Sequence, residues 1–458
     1  MGWIQTAIGV RKEERAAASL SAAMFFFVMA SCASARPLRD EIGLAFGEQR
    51  LHWLVLGSLP VVLGATALFS WLVSRTSRRT LVAVVYRVCA LVVLGFLGAT
   101  LALGESSRFV EPIFFMWVGA FNLFVVSLFW AVMADVFDAE RCRRLFGPIA
   151  AGGTLGVLVG AASAGVMATV AGRASVFVVC ACALEAAVWV HGSLERGMQR
   201  SNGHGGLSGA ETPEPWQGPR PIDGASTPLD DETFVAAAVA GVRRLLASRY
   251  LMGIGVFVFL TSLTAMLLYL VQAQIVAGAV EGRGPRASLF AWMEVLAACL
   301  TLGGQLWLSR RLLERWGTGP TLMIVPLLTV AGFSVLLIVP TIMPLVVFQS
   351  LRRAGNQAIM RPARETLFSV VSRTEKYRAK SVIDTLVYRG GDACGALLFA
   401  AVLFVAGREG WLVPVVAIVA VVGALWCAVA LRLGTARDGS PHTHASMGRG
   451  APPARAES

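Results

Sequence analysis

The chain has 458 residues, 56% of them hydrophobic and only 15% charged, with a formal net charge of +12. Soluble globular chains carry about 25% charged residues, so this composition excludes a water-soluble fold over most of the length. The lysines are Lys12, Lys376 and Lys380, none in a GxxxxGK[ST] phosphate loop, and neither HExxH nor GxSxG occurs. A Walker-type motor and two common hydrolase signatures are therefore absent, and neither an enzyme nor a bound cofactor is expected.

A bilayer core is crossed by about twenty apolar residues in helical form. In chain order such stretches fall near 16–35, 51–73, 80–104, 110–137, 145–170 and 174–193, and after a polar interval near 249–276, 286–309, 318–340, 342–370, 379–406 and 410–433. Arg11, Lys12 and Arg15 before the first run, with Met29-Ala30-Ser31-Cys32 inside it, also fit a cleaved leader. Features that pair this run with one in the second half favour a retained span. Residues 197–232 are rich in Gly, Ser, Pro and acids, a composition that builds no core and reads as a flexible linker. A short surface helix is expected over 234–246. The organisation expected is a six-span unit over 1–193, a linker over 194–248, a second six-span unit over 249–433 and a disordered tail over 434–458.

Loop charges orient this map. Alternate connections hold Arg11, Lys12 and Arg15; Arg75, Arg78 and Arg79; Arg141, Arg143 and Arg144; Arg310, Arg311 and Arg315; and Arg373, Lys376, Arg378 and Lys380. The intervening connections are poorer in basic residues, with Arg173, Arg283, Arg286 and Arg408 among the few. The positive-inside rule then places the first set, both termini and the linker in the cytoplasm, as expected for a multi-pass protein of a bacterial-type inner membrane. The basic balance thus serves topology, and no nucleic-acid partner is expected. The cysteines sit almost entirely in apolar runs without a CxxC pair, which reads as small buried hydrophobes, and His442 and His444 lie in the polar tail, so no metal site is expected.

The halves echo each other by position. Glu140-Arg141-Cys142-Arg143 precedes Gly152-Gly153-Thr154-Leu155-Gly156 in the first half; Glu375-Lys376-Tyr377-Arg378 precedes Gly390-Gly391-Asp392-Ala393-Cys394-Gly395 in the second. Each is a Glu-x-x-Arg turn ahead of a glycine-rich helix start. Gly152, Gly156 and Gly160 form a GxxxGxxxG face suited to close helix contact. Arg36-Pro37-Leu38-Arg39-Asp40 and Arg361-Pro362-Ala363-Arg364-Glu365 also share a pattern, but at unequal places in the halves, so no common descent is inferred from them. Parallel six-helix halves joined by a long cytoplasmic loop are the layout of major-facilitator-type carriers, with the substrate site between the halves. The fold expected is an all-α membrane protein of about twelve transmembrane helices of that type.

Ionisable groups inside a span cost about 2.5–3.5 kcal/mol each on insertion scales, so they face a cavity or a partner. The basic and amide candidates for binding substrate are Arg39, Arg87, Arg353, Arg361, Arg364 and Arg389, with Asn356. The acidic candidates for gating or coupling are Asp40, Asp135, Glu185, Glu294, Glu365, Asp384 and Asp392. Span ten is the densest, with Arg352, Arg353, Arg361, Arg364 and Glu365. Such a helix lines water or binds acids, and guanidinium suits phosphate or carboxylate, which points to an anionic substrate. The alternative is that these arginines pair with Glu294, Glu365, Asp384 or Asp392 as struts between helices.

Asn122-Leu123-Phe124 to Phe129-Trp130, then Asp135, then Glu140-x-x-Arg143-Arg144-Leu145-Phe146-Gly147, resembles the nucleotide (ATP/ADP) translocases of plastids and intracellular bacteria. Arg36-x-x-Arg39-Asp40 is similar to that family's Arg-x-x-Lys-Asp segment. Arg361-x-x-Arg364-Glu365, with Lys380-Ser381-x-Ile383-Asp384 and Arg389-Gly390-Gly391, is similar to its Lys-Glu and Lys-x-x-Ile-Asp region. The resemblance implies a facilitator-like fold and exchange of nucleotides, with basic residues on phosphates and acidic ones in gating or on the base. Arg39 and Arg364 stand where the family has lysine, and Asp135 where it has glutamate. Arginine for lysine is not neutral at a phosphate site.

The function expected is an antiporter, acting as a monomer in the lipid bilayer on a small anionic solute such as ATP or ADP. A proton-coupled carrier of an unrelated solute, using Asp135, Glu185 or Glu294, is the first alternative. A membrane scaffold or sensor acting through the 194–248 segment is the second.

Overall fold

The computed structural model describes residues 14–47, 50–75, 78–104, 109–137, 139–203, 234–368, 379–380 and 382–438. The basic start over 1–13, the linker over 204–233, the turn over 369–378 and the tail from 439 lie outside the described residues, as do the side chains of Asp135 and of 138–144.

Among the described residues every regular element is helical. Lipid offers no partner to a backbone N–H or C=O, so each apolar segment satisfies its own ladder. The first half contains α1 (Arg15–Ala45), α2 (Leu51–Arg75), α3 (Arg78–Leu103), α4 (Val110–Val136), α5 (Ala139–Val170) and α6 (Ala174–Gly203). A short α7 (Phe234–Ala247) leads into the second half, where α8 (Arg249–Ala279) and α9 (Arg283–Trp307) are followed by the short α10 (Ser309–Trp316) and by α11 (Thr318–Ile338). Next come α12 (Ile342–Gly355), α13 (Arg361–Leu367), α14 (Tyr388–Gly410) and α15 (Leu412–Asp438). Eleven of the described helices are long and apolar enough to cross a membrane.

Where the tenth span is expected, α12 and α13 are joined by a π-helical turn over Asn356–Met360. One unbroken helix near 342–370 was the expectation; the chain instead changes its hydrogen-bond register between the arginine pair at 352–353 and the one at 361 and 364. A second π turn, Ile383–Val387, precedes α14. Such turns are rare and concentrate at functional sites.

The first span also differs from the expectation. Instead of ending near residue 35 it continues for 31 residues to Ala45, about 46 Å at 1.5 Å per residue. Arg36, Arg39, Asp40 and Glu41 therefore lie within the helix. Carboxylates and guanidinium groups from other helices meet them there, so the helix crosses a charged stretch without ending. Similarly, α6 continues to Gly203, ten residues into the segment read as linker.

Packing repeats between the halves. The first helix of each half, α1 or α8, packs on the fifth and sixth of its own half: α1 on α5 and α6, α8 on α14 and α15. The glycines explain how closely. A Cβ at Gly152, Gly156 or Gly160 would overlap the carbonyl oxygens of Ala22, Phe26 and Ala30 on α1; one at Gly391 or Gly395 would meet those of Phe259 and Leu263 on α8. The glycine-rich stretches of α5 and α14 thus hold equivalent backbone contacts. Across the halves, α5 meets α9 and α2 meets α14. The buried core is aromatic and aliphatic, with Phe25 stacked on Phe129 at 4.3 Å in the first half and Trp426 against Phe257 in the second.

Candidate functional site

Charged side chains run in three layers along the seam between the halves. The first joins the end of α1 to the starts of α4, α6 and α9, on what is called here the Glu41 face. Glu41 is fully buried and accepts from Arg173 at 2.7 Å and Arg283 at 2.5 Å. Arg173 also reaches Glu111 at 3.3 Å, and Arg283 pairs with the same carboxylate. Glu41, Glu111 and Arg173 belong to the first half and Arg283 to the second, so the layer ties the halves together. Both arginines follow a glycine with positive φ, Gly172 (77°) and Gly282 (85°), in turns that a side chain would strain. A buried carboxylate shared by two guanidinium groups is favourable only with such full pairing, because desolvation of each ion costs several kcal/mol.

The second layer starts beside the first on α1 and reaches the middle of α9. Arg39 donates from Nε and Nη2 to Asp40 Oδ1 at 2.9 and 2.6 Å, and Tyr269 of α8 donates to the same oxygen at 3.2 Å. The Arg39 guanidinium also stands over the rings of Phe115 (5.5 Å) and Tyr269 (5.7 Å). Beside it, Glu294 of α9 is held between Arg36 of the first half, at 3.5 Å, and Arg353 of the second. On α14, Arg389 donates to Asp392 at 3.1 Å, and Ser262 of α8 hydrogen-bonds the same carboxylate. Arg39, Phe115, Tyr269, Tyr388, Arg389 and Asp392 line a cavity of about 260 Å³ between the halves.

The third layer lies toward the opposite face, where α8 begins and α13 ends. Arg364 pairs with Asp384 at 3.2 Å and Lys380 with Glu365 at 2.8 Å, both within the second half. Arg361 is exposed and has no hydrogen-bond or ion-pair partner among the described residues. Asn356 opens the π turn one helical turn before it.

Most sequence-derived candidates therefore converge on the seam: Arg39, Asp40, Glu294, Arg353, Arg389 and Asp392 at its middle, with Arg361, Arg364, Glu365 and Asp384 nearer its mouth. Arg353 and Arg364 are struts between helices, whereas Arg361 is not. Arg87 and Glu185 stand apart, paired at 3.2 Å on the outer flank of the first half. Sequence reasoning does not single out Glu111, Arg173 or Arg283 as site residues. Their signal is faint: Arg173 and Arg283 each follow a glycine in a short connection, and Glu111 stands between Val110 and Pro112 at a span start. It also misses Tyr269, which reads as an ordinary apolar-span tyrosine, and Arg36, which reads as part of a span end. Arg352 is buried against Thr329, Thr264 and the carbonyl of Thr261, with no carboxylate partner among the described residues.

Chemically, Arg36, Arg39, Arg353, Arg361, Arg364 and Arg389 outnumber Asp40, Glu294, Asp384 and Asp392. The seam thus carries a cationic surplus around the cavity between the halves.

No protein-family model matches the chain, and no curated protein matches it in sequence. Solved structures of membrane transporters share its architecture. A POT family transporter in complex with 5-aminolevulinic acid superposes with a TM-score of 0.62 at 10% identity, covering 90% of this chain and 96% of that one. An auto-inhibited POT family peptide transporter gives 0.60 at 15% identity, over 93% and 97% of the two chains. A point mutant of the nucleoside transporter NupG gives 0.57 at 11% identity, over 91% and 98%. The chain has the all-α, two-half membrane fold of these major-facilitator-like transporters.

Proposed function

We propose that the protein is an alternating-access antiporter of nucleotides or another phosphorylated anion, placed in a bacterial-type inner membrane with both termini cytoplasmic. The observation that carries this reading is the cationic surplus of the seam, and above all Arg361, which is exposed and has no hydrogen-bond or ion-pair partner among the described residues. A phosphate group would complete its pairing and compete for Arg364 and Arg389. The resemblance of the Arg36–Asp40 and Arg361–Glu365 segments to nucleotide translocases supports the same substrate class. The layer of Glu41, Glu111, Arg173 and Arg283 closes the Glu41 face in this reading, so the cleft opens toward the cytoplasm, where the positive-inside rule places the opposite face.

Proteoliposomes preloaded with ADP are expected to take up labelled ATP faster than empty ones. Equal uptake across a panel of nucleotides and phosphorylated anions would remove the reading.

A second reading, a proton-coupled carrier of another solute, has Glu294 in its favour. Protonation of this one carboxylate would release Arg36 and Arg353 together, loosening a bridge between the halves. The similar structures include peptide and nucleoside carriers by description. Uptake driven by a pH gradient into vesicles without counter-substrate would select this reading over exchange.

A further inference from the structure

The outer flank of the first half carries an ion pair where acyl chains would lie. On α3, Val84, Val88, Leu91 and Leu94 are exposed, and Arg87 shares their face. On α6, Val178, Cys182 and Trp189 are exposed at helical spacing around Glu185. The Arg87 and Glu185 side chains meet at 3.2 Å yet remain 56% and 41% exposed. One hydrogen bond, from Nη2 to Oε1, is the contact between them. The remaining guanidinium N–H groups and the second carboxylate oxygen have no partner among the described residues.

Depth decides what could supply one. Glu185 is eleven residues, about 16 Å, from the start of the apolar window Ala174–Gly197, close to the middle of the bilayer. Lipid headgroups do not reach that depth. Arg87 is six residues inside its own window, Leu81–Leu103. From there it reaches inward to Glu185, where an arginine facing lipid alone would extend to the nearer interface. Polar groups left open to hydrocarbon are costly, and membrane proteins cover them with other helices.

We infer that this flank is the interface between two copies of the chain, related by a two-fold axis beside Arg87 and Glu185. The charge pattern is self-complementary, as an isologous contact requires. Under the two-fold, Arg87 of each copy meets Glu185 of the other, and the idle donors and acceptors are used in a four-member cluster. A notch of about 360 Å³ between α3 and α6, lined by Leu91, Leu94, Val178 and Cys182 around the ion pair, receives apolar side chains. Trp189, 71% exposed one turn from Glu185, supplies a large anchor at the rim. The proposed dimer differs from the single-copy arrangement expected from the sequence. It is independent of the substrate reading, because neither residue borders the central cleft.

The test is self-association of the full chain in liposomes, read by energy transfer between labelled copies as the protein-to-lipid ratio is varied. The wild type is expected to associate. Arg87→Leu alone and Glu185→Leu alone are each expected to weaken association about fivefold to tenfold. A mixture of the two variants restores one crossed pair, so it is expected to associate more tightly than either variant with itself. Equal transfer in mixed and unmixed samples would mean the pair acts only within one chain and would overturn the proposal. Cysteine cross-linking of the wild type needs no altered fold. A short bifunctional thiol reagent is expected to link copies through Cys182, and the link is expected to disappear in Cys182→Ser. A wild type that stays monomeric at every density, or whose flank is covered by a different co-purifying membrane protein, would also overturn it.

Discussion

Arg361 and Glu294 illustrate two opposite uses of charge along one seam. Arg361 is exposed and makes no hydrogen bond or ion pair among the described residues, so its removal orphans no bonded partner. Arg361→Ala is therefore expected to leave thermal stability unchanged while lowering anion exchange about tenfold or more, chiefly through KM. Arg361→Lys is expected to recover only part, because an ammonium supplies the charge without the fork. Initial rates over a substrate series in proteoliposomes would check both. Glu294 is buried between Arg36 and Arg353. Glu294→Gln strands two guanidinium groups and is expected to cost about 3 kcal/mol, read as a lowered unfolding midpoint in detergent. Adding Arg353→Gln removes one stranded charge, so the double variant is expected to be more stable than the sum of its parts.

At the scale of elements, small residues decide how near the helices come. The GxxxGxxxG face of α5 rests on backbone carbonyls of α1, and Gly391 and Gly395 repeat the arrangement between α14 and α8. Gly156→Ala is expected to destabilise the folded protein by about 2 kcal/mol, since the methyl must displace backbone and not a flexible side chain. Gly98→Ala on α3, where a Cβ meets nothing within 4 Å, is expected to be neutral or slightly stabilising. Folded yield and unfolding midpoint, compared for the two variants, would separate these outcomes. The π turns at Asn356–Met360 and Ile383–Val387 belong to the same scale. Each shifts the helical register beside a charged cluster, so that Arg353 and Arg361 do not keep the spacing of one continuous helix.

For the whole molecule, Arg283 is the residue through which the second half joins the charged layer on the Glu41 face. Removing it leaves Glu41 and Glu111 with Arg173 and loosens the tie between the halves. Arg283→Ala is expected to shift the population about tenfold toward separation of the halves at that face. Distance distributions between spin labels near residues 47 and 282 would broaden or lengthen accordingly. An unchanged distribution would show that helix packing alone, chiefly α5 on α9, holds that face shut.

Much of this arrangement was legible in the chain. Hydrophobic run lengths set the number of spans, because a bilayer has one thickness and a helix one rise per residue. Repeated glycine spacing marked both close-packed helix pairs, and misplaced charges in spans one, eight, ten and eleven marked the seam. What remained hidden depends on contacts between residues far apart in sequence. Whether an arginine is a strut, like Arg353 on Glu294, or has no ion-pair partner among the described residues, like Arg361, depends on what another helix places opposite it. The same holds for Arg87 and Glu185: as charges within spans they look like cleft residues, and only helix rotation turned them to the outer flank. Sequence sets which groups must find partners away from water; tertiary structure decides which partners they find, and on which side of the helix.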